Sequence, residues 1–376
     1  MPFRLCDPGV ADVSHSAFPD HGGEVWEISE KLGVTINKLF DFSSNVNPLG
    51  CSPLAKMAMR RALTLASFYP DNECTQLKKA IASYIGQIES SNVCVGNGAT
   101  EIIHLFARAF IQRGDEAIVV QPTFSEYEYA TLLQAGRAKH VLRTENFELD
   151  PDALTRRITP STAAIFLCNP NNPTSTMQDN ETIDGIVRTA TKAGVMILLD
   201  ESFMDLVENP TRFSLATAAK DYRRLVVLRS LTKAFGLAGL RVGYAIGHEA
   251  TVRQLENMRI TWSVNTLAQV AAAAALEDKA FLRRSRLLIR RERAFLVRSL
   301  RELGLQVTPP QANFLLARLP GRLDARKVKR FFIDRRILIR ECSRFRGLGS
   351  HFIRLAVKTR RENLVLLRAV RELRSA

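Results

Sequence analysis

Ser230-Leu231-Thr232-Lys233-Ala234-Phe235-Gly236-Leu237-Ala238-Gly239-Leu240-Arg241-Val242-Gly243-Tyr244 follows directly on the apolar run Leu225-Val226-Val227-Leu228. A run so rich in Val and Leu suits a strand buried on both faces, and Lys233 then falls in the turn beyond its carboxyl end. In open α/β sheets ligands bind at that end. The flanking hydroxyls of Ser230 and Thr232 can donate to phosphate oxygens, and Arg241 can grip the same dianion as a fork. Held near that positive charge and partly desolvated, Lys233 has the makings of an amine nucleophile.

Working outward, the same rhythm recurs in Ala117–Val120, Ala163–Leu167 and Val195–Leu199. Stretches between the runs, such as Asn180 to Ala193, are long enough for crossover helices, which predicts an α/β layered domain over residues 51–262. After residue 262 the pattern changes. A helical run from Ser263 to about Leu303 leads to Ala312–Leu316, to a helix near Ala325 to Asp334, to strand-like Ile337–Ile339 and Phe352–Val357, and to a last helix over Arg361 to Leu373. Residues 263–376 therefore read as a smaller α+β domain. Residues 1–50 are loop-rich and are expected to pack on it and across the cleft.

The chain has 376 residues, 46% hydrophobic and 24% charged, enough for one large core and a smaller one. Its net charge of +15 gathers in the last third, where Arg283, Arg284, Arg286, Arg290 and Arg291 interleave with Leu287 and Leu288. That spacing fits a helix with a solvated basic face. No nucleic-acid motif accompanies it, so the expected partner is a small anion. The six cysteines form no CxxC pair, which argues against a metal site or a disulfide frame and for reduced thiols in the cytoplasm. No secretion signal stands out at MPFRLCDPGVADVSH, and the longest apolar stretch, Val270 to Leu276, is far too short to span a bilayer.

The Lys233 segment resembles the Schiff-base lysine motif of pyridoxal-5'-phosphate (PLP) enzymes of the aspartate-aminotransferase fold, and the resemblance runs over nearly the whole chain. It implies a PLP-dependent transferase fold of type I, with a mainly parallel seven-stranded sheet and a small second domain. Gly96-Asn97-Gly98-Ala99-Thr100-Glu101 is similar to the turn that cradles the cofactor phosphate, with backbone amides of Ala99 and Thr100 donating at a helix N-terminus. Pro122-Thr123-Phe124-Ser125-Glu126-Tyr127 resembles the segment whose aromatic lies on the pyridine ring, a role that falls to Phe124. Asn169-Pro170-Asn171-Asn172-Pro173-Thr174-Ser175 is similar to the NPNNPTG turn, so Asn172 would bond the cofactor's phenolic oxygen. Ser175 replaces the usual glycine, and a slightly different backbone is expected there. Asp200 matches the aspartate that keeps the pyridinium nitrogen protonated. Phe203 stands where many relatives have tyrosine and cannot donate to the cofactor. Phe68-Tyr69-Pro70-Asp71 resembles a motif whose tyrosine reaches the neighbouring subunit's cofactor phosphate, implying a homodimer with shared sites.

Within the fold the chain resembles histidinol-phosphate aminotransferases and the threonine-phosphate decarboxylases of cobalamin synthesis. His21-Gly22-Gly23 followed by Asp41-Phe42-Ser43-Ser44-Asn45-Val46-Asn47-Pro48-Leu49-Gly50 is similar to the decarboxylases' opening HGG…DFSxNxNPLG. Amides at the glycine pair, a ring nitrogen of His21 and the side chain of Asn45 would then meet the substrate. Leu338 to Leu348 with Phe352–Val357 resembles their IRDCSxFxGL…FIRVAV, Glu341 replacing the usual aspartate. This places Arg340 at the substrate phosphate and Arg354 at its carboxylate. If those cations turn the carboxylate perpendicular to the cofactor ring, CO2 leaves. If they hold it in plane, the Cα proton leaves and transamination follows. Lys233 carries the proton in either case. The resemblance favours decarboxylation of L-threonine O-3-phosphate, and a pocket differing by one methyl group would take serine phosphate instead. A histidinol-phosphate aminotransferase is the alternative. A DNA-binding regulator on this fold ranks last, since fifty glycine- and proline-punctuated residues are too few for the extra domain.

Overall fold

The computed structural model describes residues 22–321 and 323–375. Its strands are β1 (Phe40–Asp41), β2 (Val93–Gly96), β3 (Glu116–Gln121), β4 (Arg137–Leu142), β5 (Thr162–Cys168), β6 (Met196–Asp200), β7 (Leu225–Ser230), β8 (Gly243–Ile246), β9 (Gln306–Val307), β10 (Phe314–Arg318), β11 (Ile337–Leu338), β12 (Arg340–Glu341) and β13 (Phe352–Ala356). Seven of them form one sheet in the order β2-β8-β7-β6-β5-β3-β4. β8 runs antiparallel to both neighbours and the others from β7 to β4 run parallel.

The central strands are apolar on both faces because each face meets a separate core. Successive side chains point to opposite sides of a strand. Ile165, Leu167, Ile197, Leu199 and Val227 accordingly enter one core with Leu77, Ile183, Ile186 and Ala271. Phe166, Leu198 and Val226 enter the other with Ile102, Phe106 and Leu255. The strand β4 escapes a hydrophobic search because it is an edge, where polar residues are favoured. Its Lys139 reaches Glu116 of β3 at 3.1 Å.

The helical run expected from Ser263 onward is two helices, Thr266–Glu277 and Lys279–Glu302. Asp278 interrupts it. Its side chain accepts from the Phe281 amide as an N-cap, and from Ser52 Oγ at 2.7 Å. Such short acidic side chains compete for backbone amides and so start helices better than they continue them. A boundary at residue 263 also differs from where the cores part. Val264, Ala268, Leu276, Phe281 and Ile289 pack in the large core, whereas Leu296 and Leu300 of the same long helix pack in the smaller one.

In the smaller unit, β12-β13-β10-β9 form an antiparallel sheet, and β1 pairs in parallel with β11. Through β1 and the buried ring of Phe42, residues 40–42 are built into this unit. Among the described residues no helix is long and apolar enough to cross a membrane, and no group of His, Cys, Asp and Glu is placed to hold a metal. Cys51, Cys74, Cys94, Cys168 and Cys342 are free thiols. Burial pushes Cys168 and Cys342 up to about 12, which leaves them protonated and unreactive.

Candidate active site

The carboxyl ends of β5, β6 and β7 open on a cleft of about 270 Å3, closed from the other side by the smaller unit and by residues 43–45. Lys233 lies in its wall, on the single turn Leu231–Ala234 that β7 runs into. Asn47 locks this turn: its amide donates to the Lys233 carbonyl at 3.0 Å, and its Nδ2 donates to Ala234 O and to Ser285 Oγ. Gly236 lets the turn pass close by residue 50, since a Cβ there would stand 2.1 Å from Gly50 O. Burial and then the positive charges of Arg354 and Arg241 push the Lys233 amine down to about 8.

Asp200 ends β6 and is buried in the same cleft. Its Oδ1 accepts from the Ser202 amide at 2.8 Å, and its Oδ2 accepts from the Tyr127 hydroxyl at 2.6 Å. Burial raises its pKa, and those hydrogen bonds oppose the rise. Tyr127 is fully buried, with its ring stacked 5.3 Å from Phe166. This partner of Asp200 was not foreseen. Its place three residues after Phe124, in the same short segment, was the available signal.

At the opposite end of the cleft Ala99 and Thr100 begin the helix Gly98–Phe110, whose N-cap Asn97 makes no side-chain cap. Its first amides remain available to an anion. Ser230 and Thr232 join them, their hydroxyls 2.7 Å apart, and Arg241 completes the end of the cleft. Gly98 is needed for this arrangement. It has φ +83°, and a Cβ on it would meet Arg241 Nη2 at 2.4 Å.

Phe124, Asn172, Arg340 and Arg354 line the remaining walls with Gly22, Asn45 and Phe203. Arg354 is buried and donates through Nη1 to Asn172 Oδ1 and through Nη2 to Ser43 O at 2.6 Å. Burial pushes it down to about 10. Arg340 and Arg354 face each other in register across β12 and β13, and both are buried. Phe203 packs against Phe314 with ring centroids 4.8 Å apart, and the Arg354 guanidinium stands 5.6 Å from that same Phe314 ring. Phe203 thus supports the arginine through Phe314.

Two of the expected site residues do not line this chain's own cleft. Gly23 does not line the cleft: its amide donates to Ser43 Oγ at 3.1 Å, so only Gly22 of the pair reaches the wall. Tyr69 is 80% exposed and stacks on Trp262 at 4.6 Å, outside its own chain's cleft. His21 lies outside the described residues. The backbone at Ser175 does not depart from a glycine-like shape. Its φ is +62°, a left-handed conformation that costs a non-glycine residue about 1 kcal/mol. Hydrogen bonds offset that cost, because Ser175 Oγ accepts from the amides of Gln311 and Ala312 at 3.2 and 2.9 Å.

The donor set suits a phosphorylated pyridine aldehyde. It offers an amine of lowered pKa, a carboxylate for a ring nitrogen, an aromatic wall and a helix N-terminus with two hydroxyls and a guanidinium for a phosphate. Asn45 Oδ1, Ser202 Oγ and Arg354 Nε, all on residues of this wall, are buried without a partner. Orphaned polar atoms of this kind are rare unless a ligand or water meets them.

The family model for aminotransferase class I and II matches residues 37–370. Histidinol-phosphate aminotransferase from Moorella thermoacetica is 38% identical over 94% of this chain and 89% of its own. Threonine-phosphate decarboxylase from Salmonella typhimurium is 35% identical over 93% of this chain and 95% of its own. Among solved structures, histidinol-phosphate aminotransferase from Sinorhizobium meliloti in complex with pyridoxal-5'-phosphate superposes with a TM-score of 0.83 at 23% identity, covering 92% of this chain and 94% of that one.

Proposed function

This chain belongs to the aminotransferase class I and II family, whose cofactor is pyridoxal 5'-phosphate, and we propose that it is a lyase releasing CO2 from L-threonine O-3-phosphate to leave (R)-1-amino-2-propanol phosphate. One observation carries the choice of substrate. Arg340 and Arg354, in register on neighbouring strands, bury two guanidinium groups side by side in the cleft. Like charges directly opposite each other in a sheet are unfavourable on their own. A substrate bearing both a carboxylate and a phosphate offers one anionic group to each guanidinium.

The bound cofactor supplies an electron sink for the pair left on Cα when a bond there breaks. Asp200 would meet its ring nitrogen, and Tyr127 and Ser202 stabilise that carboxylate as an anion. Ala99, Thr100, Ser230, Thr232 and Arg241 would hold its phosphate, Phe124 would cover its ring, and Asn172 would be left with Nδ2 for its phenolic oxygen, since Oδ1 serves Arg354. Arg354 takes the substrate carboxylate and Arg340 the substrate phosphate, and together they fix the rotation of the carboxylate about its bond to Cα. When that carbon–carbon bond breaks and CO2 leaves, Lys233 delivers the replacing proton to Cα. Its lowered pKa lets the amine both give and regain a proton near neutral pH.

A second reading, histidinol-phosphate aminotransferase, is favoured by the Moorella relative. Histidinol phosphate carries only one anionic group, so Arg354 would serve the 2-oxo acid in that case. Incubation with threonine phosphate, serine phosphate and histidinol phosphate in parallel separates the readings. CO2 from threonine phosphate without any 2-oxo acid supports the lyase, and turnover of histidinol phosphate only with 2-oxoglutarate overturns it. We also propose a homodimer in which the exposed Phe68, Tyr69, Ile260 and Trp262 meet a second copy and Tyr69 reaches the partner's cofactor phosphate. A monomer in sedimentation at micromolar concentration removes that proposal.

A further inference from the structure

The turn carrying Asn172 touches the smaller unit at two places. One is the Arg354–Asn172 hydrogen bond. The other is Ser175, three residues on, where the usual glycine is replaced. Ser175 O accepts from the Gln311 amide at 2.8 Å, and Ser175 Oγ accepts from the amides of Gln311 and Ala312. The turn is closed on itself by Ser175 N donating to Asn171 O at 2.7 Å, so Asn172 and Ser175 lie within one hydrogen-bonded turn.

The loop that Ser175 grips leads straight into the substrate-facing wall. Arg293 Nη1 binds the carbonyls of Gln311 and Ala312 from the other side, at 2.6 and 3.2 Å. Asn313 Nδ2 donates to Asn45 O at 2.9 Å, and its carbonyl accepts from Val357 N. Phe314, next in line, lies between Phe203 and the Arg354 guanidinium. Leu316, two residues further on β10, is the cross-strand partner of Arg354. The hydroxyl of one buried serine therefore ties the Asn172 turn to the strand on which the guanidinium rests.

We propose that Ser175 is a positioning residue: its hydroxyl clamps the Gln311–Asn313 loop to the Asn172 turn and thereby fixes Arg354 for the substrate carboxylate. The inference rests on the function proposed above only in taking Arg354 as the carboxylate anchor. A glycine at this site would adopt the same backbone more easily but would leave the Ala312 amide buried without its acceptor. Backbone ease and the clamp are therefore separable by substitution.

The test uses the cofactor-loaded enzyme and the variants Ser175→Gly and Ser175→Ala. Both are expected to raise KM for threonine phosphate about tenfold with kcat changed less than about twofold, and to leave cofactor affinity unchanged. Amide hydrogen exchange at Ala312, read without any substrate, is expected to accelerate at least tenfold in both. Ser175→Gly, freed of the left-handed penalty, keeps the higher melting temperature of the two. Unchanged KM and unchanged exchange in Ser175→Gly overturn the clamp. Equal loss of kcat and of cofactor affinity also overturns it, since that pattern marks a general structural role. If wild-type enzyme releases no CO2 from threonine phosphate while exchange at Ala312 accelerates in the variants, the substrate reading fails and the clamp stands.

Discussion

The Tyr127 hydroxyl donates to Asp200 Oδ2 at 2.6 Å, in a cleft where the carboxylate's other oxygen takes the Ser202 amide. Removing a donor to the ionised form raises a carboxyl pKa. Burial already raises Asp200, so the two shifts add. Tyr127→Phe keeps the ring stacked on Phe166 and should preserve the fold. A hydrogen bond to a charged group is worth about 1.5–3 kcal/mol, so a loss of roughly ten- to hundredfold in kcat/KM is expected. Asp200 works as an anion, so the acid limb of the pH–rate profile should move to higher pH. A profile that stays in place would show that the tyrosine does not tune the aspartate.

Lys233 reacts as the neutral amine. Burial and the nearby guanidinium charges push its amine from the ordinary lysine value of 10.5 down to about 8, so deprotonation comes earlier as pH rises. For the cofactor-free protein the rate of pyridoxal phosphate uptake should climb about tenfold per pH unit below 8 and level off above it. Visible absorbance after mixing reads that rate. Lys233→Ala should show neither the absorbance nor turnover, and a rate still climbing at pH 10 would mean an ordinary lysine.

Arg354 and Arg340 should fail differently. Removing one partner of a buried charged contact costs about 3 kcal/mol, roughly hundredfold in substrate handling. Arg354→Ala should lose that much toward every carboxylate-bearing substrate while the cofactor stays bound. Arg340→Ala should lose it for threonine phosphate but leave unphosphorylated threonine handled as before. Wild-type kinetics in Arg354→Ala would remove that residue's assignment.

At Gly98 the methyl group of Gly98→Ala would meet Arg241 Nη2 at 2.4 Å on a backbone of φ +83°. The side chain of Arg241 must then withdraw from the helix N-terminus. Cofactor affinity, titrated by absorbance, is expected to fall at least about tenfold. Undiminished affinity would place the cofactor phosphate away from Arg241.

Much of this architecture is legible along the chain. Near-continuous apolar runs such as Ala163–Leu167 need two cores, and the described strands send alternate residues into each. The residues expected around Lys233 do meet: Ala99, Thr100, Phe124, Asn172, Asp200, Ser230, Thr232, Arg241, Arg340 and Arg354 share one cleft. The edge strand β4, the break at Asp278 and the packing of Val264 to Ile289 in the larger core were less legible. Edge polarity hides a strand, one capping residue hides in a long amphipathic pattern, and an apolar helix face does not say which core receives it.

Chain order and hydrophobic period are local properties, so reading residues in turn was enough to give the four central parallel strands of the sheet, the lysine turn and the ingredients of an anion-holding cleft. Contacts such as Tyr127 with Asp200, Ser175 with Ala312 and Arg340 beside Arg354 answer to something else. They join polar groups from separate elements, and short-range hydrogen bonds form only where sheet register and loop packing bring donor within about 3 Å of acceptor. That geometry belongs to the folded whole, which is why the tuning of Asp200 and the setting of Arg354 appeared only in three dimensions.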